Sequence, residues 1–149
     1  SLCKKYNSLF IVNDRIDIAL AVEADGIHLG QEDMPTKIAR DLLGPERIIG
    51  RSTHCLEEIR KAEEEGCDYI GIGSIFSSET KKKLNPIGID YLKKGLDKTL
   101  LPAFAIGGIN SSNINELKQI NNLRIAVSDA IINSNDPFVK TKELFKLLA

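Results

Sequence analysis

Residues 9–35 read LFIVNDRIDIALAVEADGIHLGQEDMP, and the alternation inside this stretch decides the fold. An apolar run over residues 9–12 ends at Asn13 and Asp14. A segment of helical period follows, with Ile16, Ala19, Leu20 and Glu23 on successive turns. A second apolar run over residues 26–29 then ends at Gln31, Glu32 and Asp33. Two strands separated by one short helix are expected to lie parallel and adjacent, so the polar groups after their C-terminal ends share one rim. Asp14 and Asp33 are then expected to face one another there, and two carboxylates on one rim point to a hard cation such as magnesium.

The same alternation continues. Met34-Pro35 opens a helix with Ile38, Ala39, Leu42 and Leu43 on one face, closed by Gly44-Pro45. RIIG at 47–50 predicts a third strand ending at Arg51-Ser52-Thr53-His54. Leu56, Ile59 and Ala62 mark the next helix as far as Gly66, with Ser52 or Thr53 as its expected cap. YIGIGSIF at 69–76 predicts a fourth strand opening onto the longest loop, 77–88, which carries Thr80 and Lys81. Ile89, Leu92 and Leu96 predict a short helix, and LPAFAI at 101–106 a fifth strand ending at Gly107-Gly108. Ile114, Leu117 and Ile120 predict a further helix, residues 123–127 a sixth strand, and Asp136-Pro137 the start of a last helix through Leu148. At the front, Leu2, Cys3 and Tyr6 read as the last turns of an amphipathic helix entered midway.

Strands alternating with helices predict an α/β fold with an all-parallel sheet, open or closed into a barrel. Every expected strand ends in polar or glycine residues, a distribution that belongs to the C-terminal face of a (β/α)8 TIM barrel. Phosphate is commonly held there by the loops after strands 7 and 8. Gly107-Gly108 follows the penultimate strand, so the first visible strand counts as the third of eight. The expectation is a single barrel domain over 1–149, reduced to about six C-terminal units with the first two missing in front.

Composition narrows the function classes. The chain has 149 residues, 42% hydrophobic and 28% charged, with a net charge of −1. These are ordinary globular values. Lys and Arg are scattered apart from Lys81 to Lys83, which excludes the basic stripe of a nucleic-acid binder. Cys3, Cys55 and Cys67 fit no disulfide or metal-ligand spacing, and no segment has the length of a membrane span, so a cytoplasmic setting is expected.

Five motifs in order, NDR at 13–15, ADGIHLGQED at 24–33, GRSTH at 50–54, TK at 80–81 and AIGGI at 105–109, carry a resemblance to thiamine-phosphate synthases. The resemblance covers almost the full length. It implies an eight-stranded barrel entered at the end of its second helix. It also implies a reaction that joins an aminopyrimidine methyl diphosphate to a thiazole phosphate, releasing pyrophosphate and thiamine phosphate. Such a substitution must stabilise a leaving diphosphate while a pyrimidine-stabilised cation forms, which calls for magnesium, cationic groups and hydroxyls.

Carried over by position, the resemblance implies Asp14 and Asp33 as magnesium ligands, with Asn13 beside the diphosphate. Ser52 and Lys81 are the implied catalytic contacts to the pyrimidine diphosphate, Lys81 as a point charge on leaving oxygens. Ser78 and Thr80, flanking Glu79, are implied at the thiazole phosphate. Gly108 would let a backbone N–H approach that phosphate, the next helix N-terminus would add its dipole, and Ser128 and Asp129 would close the pocket. Three departures stand out. FSSETKKK at 76–83 has Ser77 and Ser78 where the family has proline and threonine. AVSDAI at 126–131 puts Asp129 where a phosphate-binding serine is expected, and the glutamine, arginine and lysine cluster of the family's second strand is absent.

Blander readings stand beside these. Asp14, Asp33 and Ser52 each suit a helix cap, Lys81 to Lys83 a solvated loop, and Gly107-Gly108 a plain turn. His28 reads as a packed core residue and His54 as part of a first helical turn, neither with assigned chemistry. A related thiazole tautomerase and a non-catalytic phosphate-ligand module are the alternatives to the synthase. Opened barrel edges leave unpaired strands, so self-association or instability of the 149-residue chain is expected. A monodisperse monomer with sharp thermal unfolding would contradict that expectation.

Overall fold

The structure is a computed structural model that describes residues 2–77 and 85–148. Ser78, Glu79, Thr80 and Lys81 lie outside the described residues. The strands are β1 (Ile11–Asn13), β2 (Gly26–Leu29), β3 (Ile48–Thr53), β4 (Tyr69–Ile72), β5 (Ala103–Ile106) and β6 (Arg124–Ala126). They are hydrogen-bonded in the order β1-β2-β3-β4-β5-β6. The helices are α1 (Leu2–Lys5), α2 (Ile16–Ala21), α3 (Thr36–Leu43), α4 (Leu56–Glu64), α5 (Gly88–Leu96), α6 (Asp129–Ile132) and α7 (Pro137–Leu148), with a 3-10 turn at Ile114–Leu117. The expected α/β parallel architecture is present. Two compact units are distinguished, Ser1–Gly71 with Thr99–Pro102, and Ile72–Lys98 with Ala103–Ala149.

In the first unit β1 pairs parallel with β2, Asn13 opposite His28, and β2 pairs parallel with β3, His28 opposite Gly50. Side chains alternate along a strand. Ile27, Leu29 and Ile49 point to one side and close a core with Ala19, Ala24, Ala39 and Leu43, against which Phe10, Val12, Ile16 and Met34 pack. Asn13, His28, Gly50 and Ser52 fall on the other side. Two glycines make the pairing possible there. A Cβ on Gly26 would overlap the Ile48 carbonyl, and one on Gly50 would overlap the Tyr69 ring, so each glycine admits a close neighbour.

Helix α3 buries Thr36, Ala39 and Leu43, whereas Ile38 and Leu42 of the expected apolar face remain about half exposed. The buried stripe is therefore rotated from the expected one, because the hydroxyl of Thr36 has its own buried partners. Gly44, at φ 83°, ends α3 as expected and donates to the Arg40 carbonyl at 2.9 Å. Arg40 then pairs with Asp68 at 2.6 Å, and the same carboxylate accepts the Ile49 N–H at 2.7 Å.

Several expected boundaries shift. Strand β3 runs on through Thr53, so Ser52 and Thr53 are strand residues and Cys55 precedes α4 in the capping position. Thr53 donates instead to the Gly71 carbonyl at 3.0 Å, and Glu58 reaches back to accept the His54 N–H at 2.6 Å. His54 therefore lies outside the helix it was expected to start. The fourth and fifth strands are shorter than their apolar runs. In the second unit β5 pairs parallel with β6, and the expected helix through Ile120 shrinks to one 3-10 turn. Asparagines at 110 and 113 hold backbone groups of the preceding turn and so compete with helix propagation. Helix α6, a single turn, is not among the expected helices.

Large apolar side chains remain exposed, including Leu2 and Leu9 in the first unit and Phe138 and Phe145 in the second. No helix among the described residues is long and apolar enough to cross a membrane. Gly26→Ala is expected to destabilise the protein by roughly 1–3 kcal/mol, because its methyl group must displace strand backbone. Chemical denaturation of the two proteins measures this, and an unchanged midpoint would contradict the packing account.

Candidate functional site

The first unit brings Asn13, Asp14, Asp33 and Ser52 to the C-terminal rim of β1, β2 and β3. Asn13 is the last residue of β1 and is exposed. Asp14 continues the ladder by one bond, donating its N–H to the His28 carbonyl at 2.8 Å, and turns the chain at φ 62°. Aspartate tolerates this left-handed backbone better than most residues, so the position is held by the main chain as well as exposed to solvent. Residue Arg15, not Asp14, stands at the start of α2 in the capping position.

Asp33 lies in the loop between β2 and α3. Its Oδ2 accepts the Gly30 N–H at 2.6 Å, and its own N–H donates to the Gly30 carbonyl at 3.3 Å. Pro35 occupies the capping position of α3, so Asp33 braces its own turn and does not cap that helix. The loop is pinned from β3. Arg51, 5% exposed, donates to the carbonyls of Met34 at 3.1 Å and Gln31 at 3.3 Å and to Thr36 Oγ1 at 3.3 Å. Gln31 in turn donates its side-chain amide to the Ser52 carbonyl at 2.6 Å. A buried guanidinium is costly unless its N–H groups are satisfied, and here the loop carbonyls supply the acceptors.

Ser52 is 4% exposed and its Oγ lies 2.9 Å from His28 Nε2. Register explains the contact. His28 faces Gly50 across the ladder, and Ser52 is the next β3 residue on the same side. His28 Nδ1 is 2.9 Å from the Tyr69 hydroxyl, and the two rings are 5.4 Å apart at 32°. Burial pushes the Tyr69 hydroxyl up to about 12, so it stays protonated. His28 is thus half-buried with both ring nitrogens engaged, which corrects its reading as a packed core histidine. Ser52 is no helix cap either.

The second unit holds the rest of the described candidates. Gly107 and Gly108 have φ 92° and 68°. A Cβ on Gly107 would overlap Ser74, and one on Gly108 would overlap backbone at Phe76 and Ser77. The Gly108 carbonyl accepts side-chain amides of Asn110 at 3.0 Å and Asn113 at 2.9 Å. A packing cause thus accounts for both glycines, and the short 3-10 turn that follows replaces the helix whose dipole was expected to help. Ser128 and Asp129 are exposed at the end of β6, where the Ser128 carbonyl starts α6 and Asp129 Oδ1 accepts from Asn133 at 2.6 Å.

Among the described residues no group of three or more His, Cys, Asp or Glu side chains forms a metal site. Two hard carboxylates suit magnesium, which binds through one or two carboxylates and keeps its other positions for water and phosphate oxygens. The loop pins generate a prediction. Arg51→Met is expected to raise hydrogen exchange at the backbone amides from Gly30 to Met34, while those of β2 stay protected. Unchanged exchange in the loop would show that Arg51 does not hold it.

A family model described as thiamine monophosphate synthase matches residues 1–131. A thiamine-phosphate synthase of Prochlorococcus marinus (strain MIT 9313) is 55% identical over 148 residues, 99% of this chain and 42% of the relative. The chain therefore spans about two fifths of the length of the curated relatives it matches. A solved thiamine phosphate pyrophosphorylase from Pyrococcus furiosus superposes with a TM-score of 0.88 at 41% identity, over 99% of this chain and 70% of that one. The 3-hexulose-6-phosphate synthase of Salmonella typhimurium matches with a TM-score of 0.70 at 15% identity, over 99% and 76%, a likeness of fold alone. With its motifs in order and its relatives matched over nearly the whole of its length, this chain belongs to the thiamine monophosphate synthase family.

Proposed function

We propose that this chain forms the greater part of the active site of a magnesium-dependent thiamine-phosphate synthase, in a (β/α)8 barrel to which its six strands belong. The observation that carries the reading is the gathering of Asn13, Asp14, Asp33 and Ser52 on one rim of parallel strands, in a chain of this family. The substrates proposed are the aminopyrimidine methyl diphosphate and the thiazole phosphate.

Asp14 and Asp33 would hold magnesium. When bound, the ion would neutralise charge on the diphosphate as it leaves. Asn13 offers its amide to the same oxygens, and the Ser52 hydroxyl, fixed by His28, is a ready donor for another. Lys81 adds positive charge on the leaving oxygens, while Ser78 and Thr80, flanking Glu79, meet the thiazole phosphate. Gly108, Ser128 and Asp129 are proposed at the thiazole phosphate. Because Asp129 is a carboxylate, Ser128 is the proposed donor of that pair, while Asn133 engages Asp129 Oδ1. Departure of the diphosphate leaves a cation at the pyrimidine methylene carbon, and the thiazole nitrogen then supplies the electron pair for the new bond. These groups therefore stabilise charge and position substrates; the reading requires no protein nucleophile.

Self-association through sheet edges is a further proposal. The reading is tested by thiamine-phosphate formation from both substrates with magnesium, against an EDTA control. Turnover lost in EDTA is expected; no turnover would favour a binding module or the tautomerase. Asp14→Asn, which keeps a residue tolerant of the left-handed backbone, is expected to weaken magnesium-dependent pyrophosphate binding about tenfold or more. Unchanged magnesium dependence would overturn the metal assignment.

A further inference from the structure

The hydroxyl of Ser52 has one proton to donate and lone pairs to accept with, and its neighbours decide which way that proton points. His28 Nε2 lies 2.9 Å from Ser52 Oγ, and His28 Nδ1 lies 2.9 Å from the Tyr69 hydroxyl. In a neutral imidazole one nitrogen donates and the other accepts, so the two contacts cannot be set independently. We infer that Tyr69 and His28 form a directed relay, Tyr69 O–H to Nδ1 and Nε2–H to Ser52 Oγ, that turns the Ser52 proton outward toward an anionic ligand oxygen.

The protonation of Tyr69 and the chemistry of an anionic ligand support the direction, and the sheet seats the relay. First, Tyr69 stays protonated, since burial disfavours its phenolate, so it has a proton to give to Nδ1. Second, an Nε2–H donor occupies a lone pair of Ser52 Oγ and frees the serine proton for an acceptor, which is what a diphosphate offers. The opposite tautomer would draw the serine proton onto Nε2 and present lone pairs to an anion. Third, the sheet is built to seat the relay. Gly50, directly opposite His28, has no side chain where the Tyr69 ring lies, and any Cβ there would overlap that ring. The Ser52 carbonyl is held by Gln31 at 2.6 Å, so the backbone beneath the hydroxyl is fixed as well. His28 and Tyr69 are positioning residues that act through Ser52.

The inference rests on the proposed role of Ser52 for its consequence, but the relay itself is open to a direct measurement. Long-range proton–nitrogen correlation spectra of the ligand-free protein report the His28 tautomer. Protonated Nε2 with unprotonated Nδ1, scrambled by Tyr69→Phe, is the expected result, and protonated Nδ1 would overturn the relay whatever the ligand is. Binding of inorganic pyrophosphate with magnesium then tests the consequence. His28→Phe is expected to weaken binding about tenfold, whereas His28→Gln, whose amide keeps a donor near the Nε2 position, retains most of it. A packing role predicts the reverse order, because phenylalanine keeps the ring against Tyr69. In a Ser52→Ala background His28→Phe should have no further effect, and equal losses in both backgrounds would refute positioning through Ser52. If Ser52→Ala alone binds pyrophosphate like the parent protein, the substrate reading fails, and the tautomer still decides the relay.

Discussion

Parallel register between β1, β2 and β3 is the constraint on which the first unit depends. Asn13 opposite His28 and His28 opposite Gly50 put one set of side chains into the helix-covered core and the other onto a polar face. A slip of one residue would exchange the two sets, burying His28 and Ser52 among isoleucines and exposing Ile27 and Ile49. Gly26 and Gly50 oppose such a slip, since each sits where a neighbour leaves no room for a side chain. The core and the candidate site are therefore two faces of one arrangement, and the hydrophobic burial that fixes the first also places the second.

Above the strands, rim positions are set by hydrogen bonds and not by apolar packing. Asp14 is anchored through its N–H to the His28 carbonyl, and Asp33 is folded onto Gly30. Arg51 holds the Asp33 loop from beneath with the carbonyls of Gln31 and Met34. Both rim turns are therefore braced by backbone groups.

Much of this was legible in the residues. Apolar runs and acidic turns identified six strands in order, and the rim position of Asp14 and Asp33 followed from two strands separated by a single short helix. What was not legible depended on partners distant in sequence. His28 looks like any histidine in a strand until Tyr69, forty-one residues on, reaches it across Gly50. The cap reading of Ser52 failed because β3 continues three residues past its apolar run under the hold of Arg51, Gln31 and Thr53. The glycine of GRSTH was the available signal, since a glycine inside a strand marks a close approach. The helix expected through Ile120 failed for a local reason, the side-chain bonds of Asn110 and Asn113 to the turn before it.

The central claim is that the two carboxylates after β1 and β2 hold one divalent ion together with a diphosphate. Manganese in place of magnesium makes that claim directly measurable, because a paramagnetic ion broadens the nuclear signals of residues near it. With manganese and pyrophosphate added to the isotope-labelled protein, the account expects broadening centred on Asn13, Asp14 and the Gly30 to Asp33 loop, abolished by Asp14→Asn. Broadening centred elsewhere, or unchanged in that variant, would contradict it.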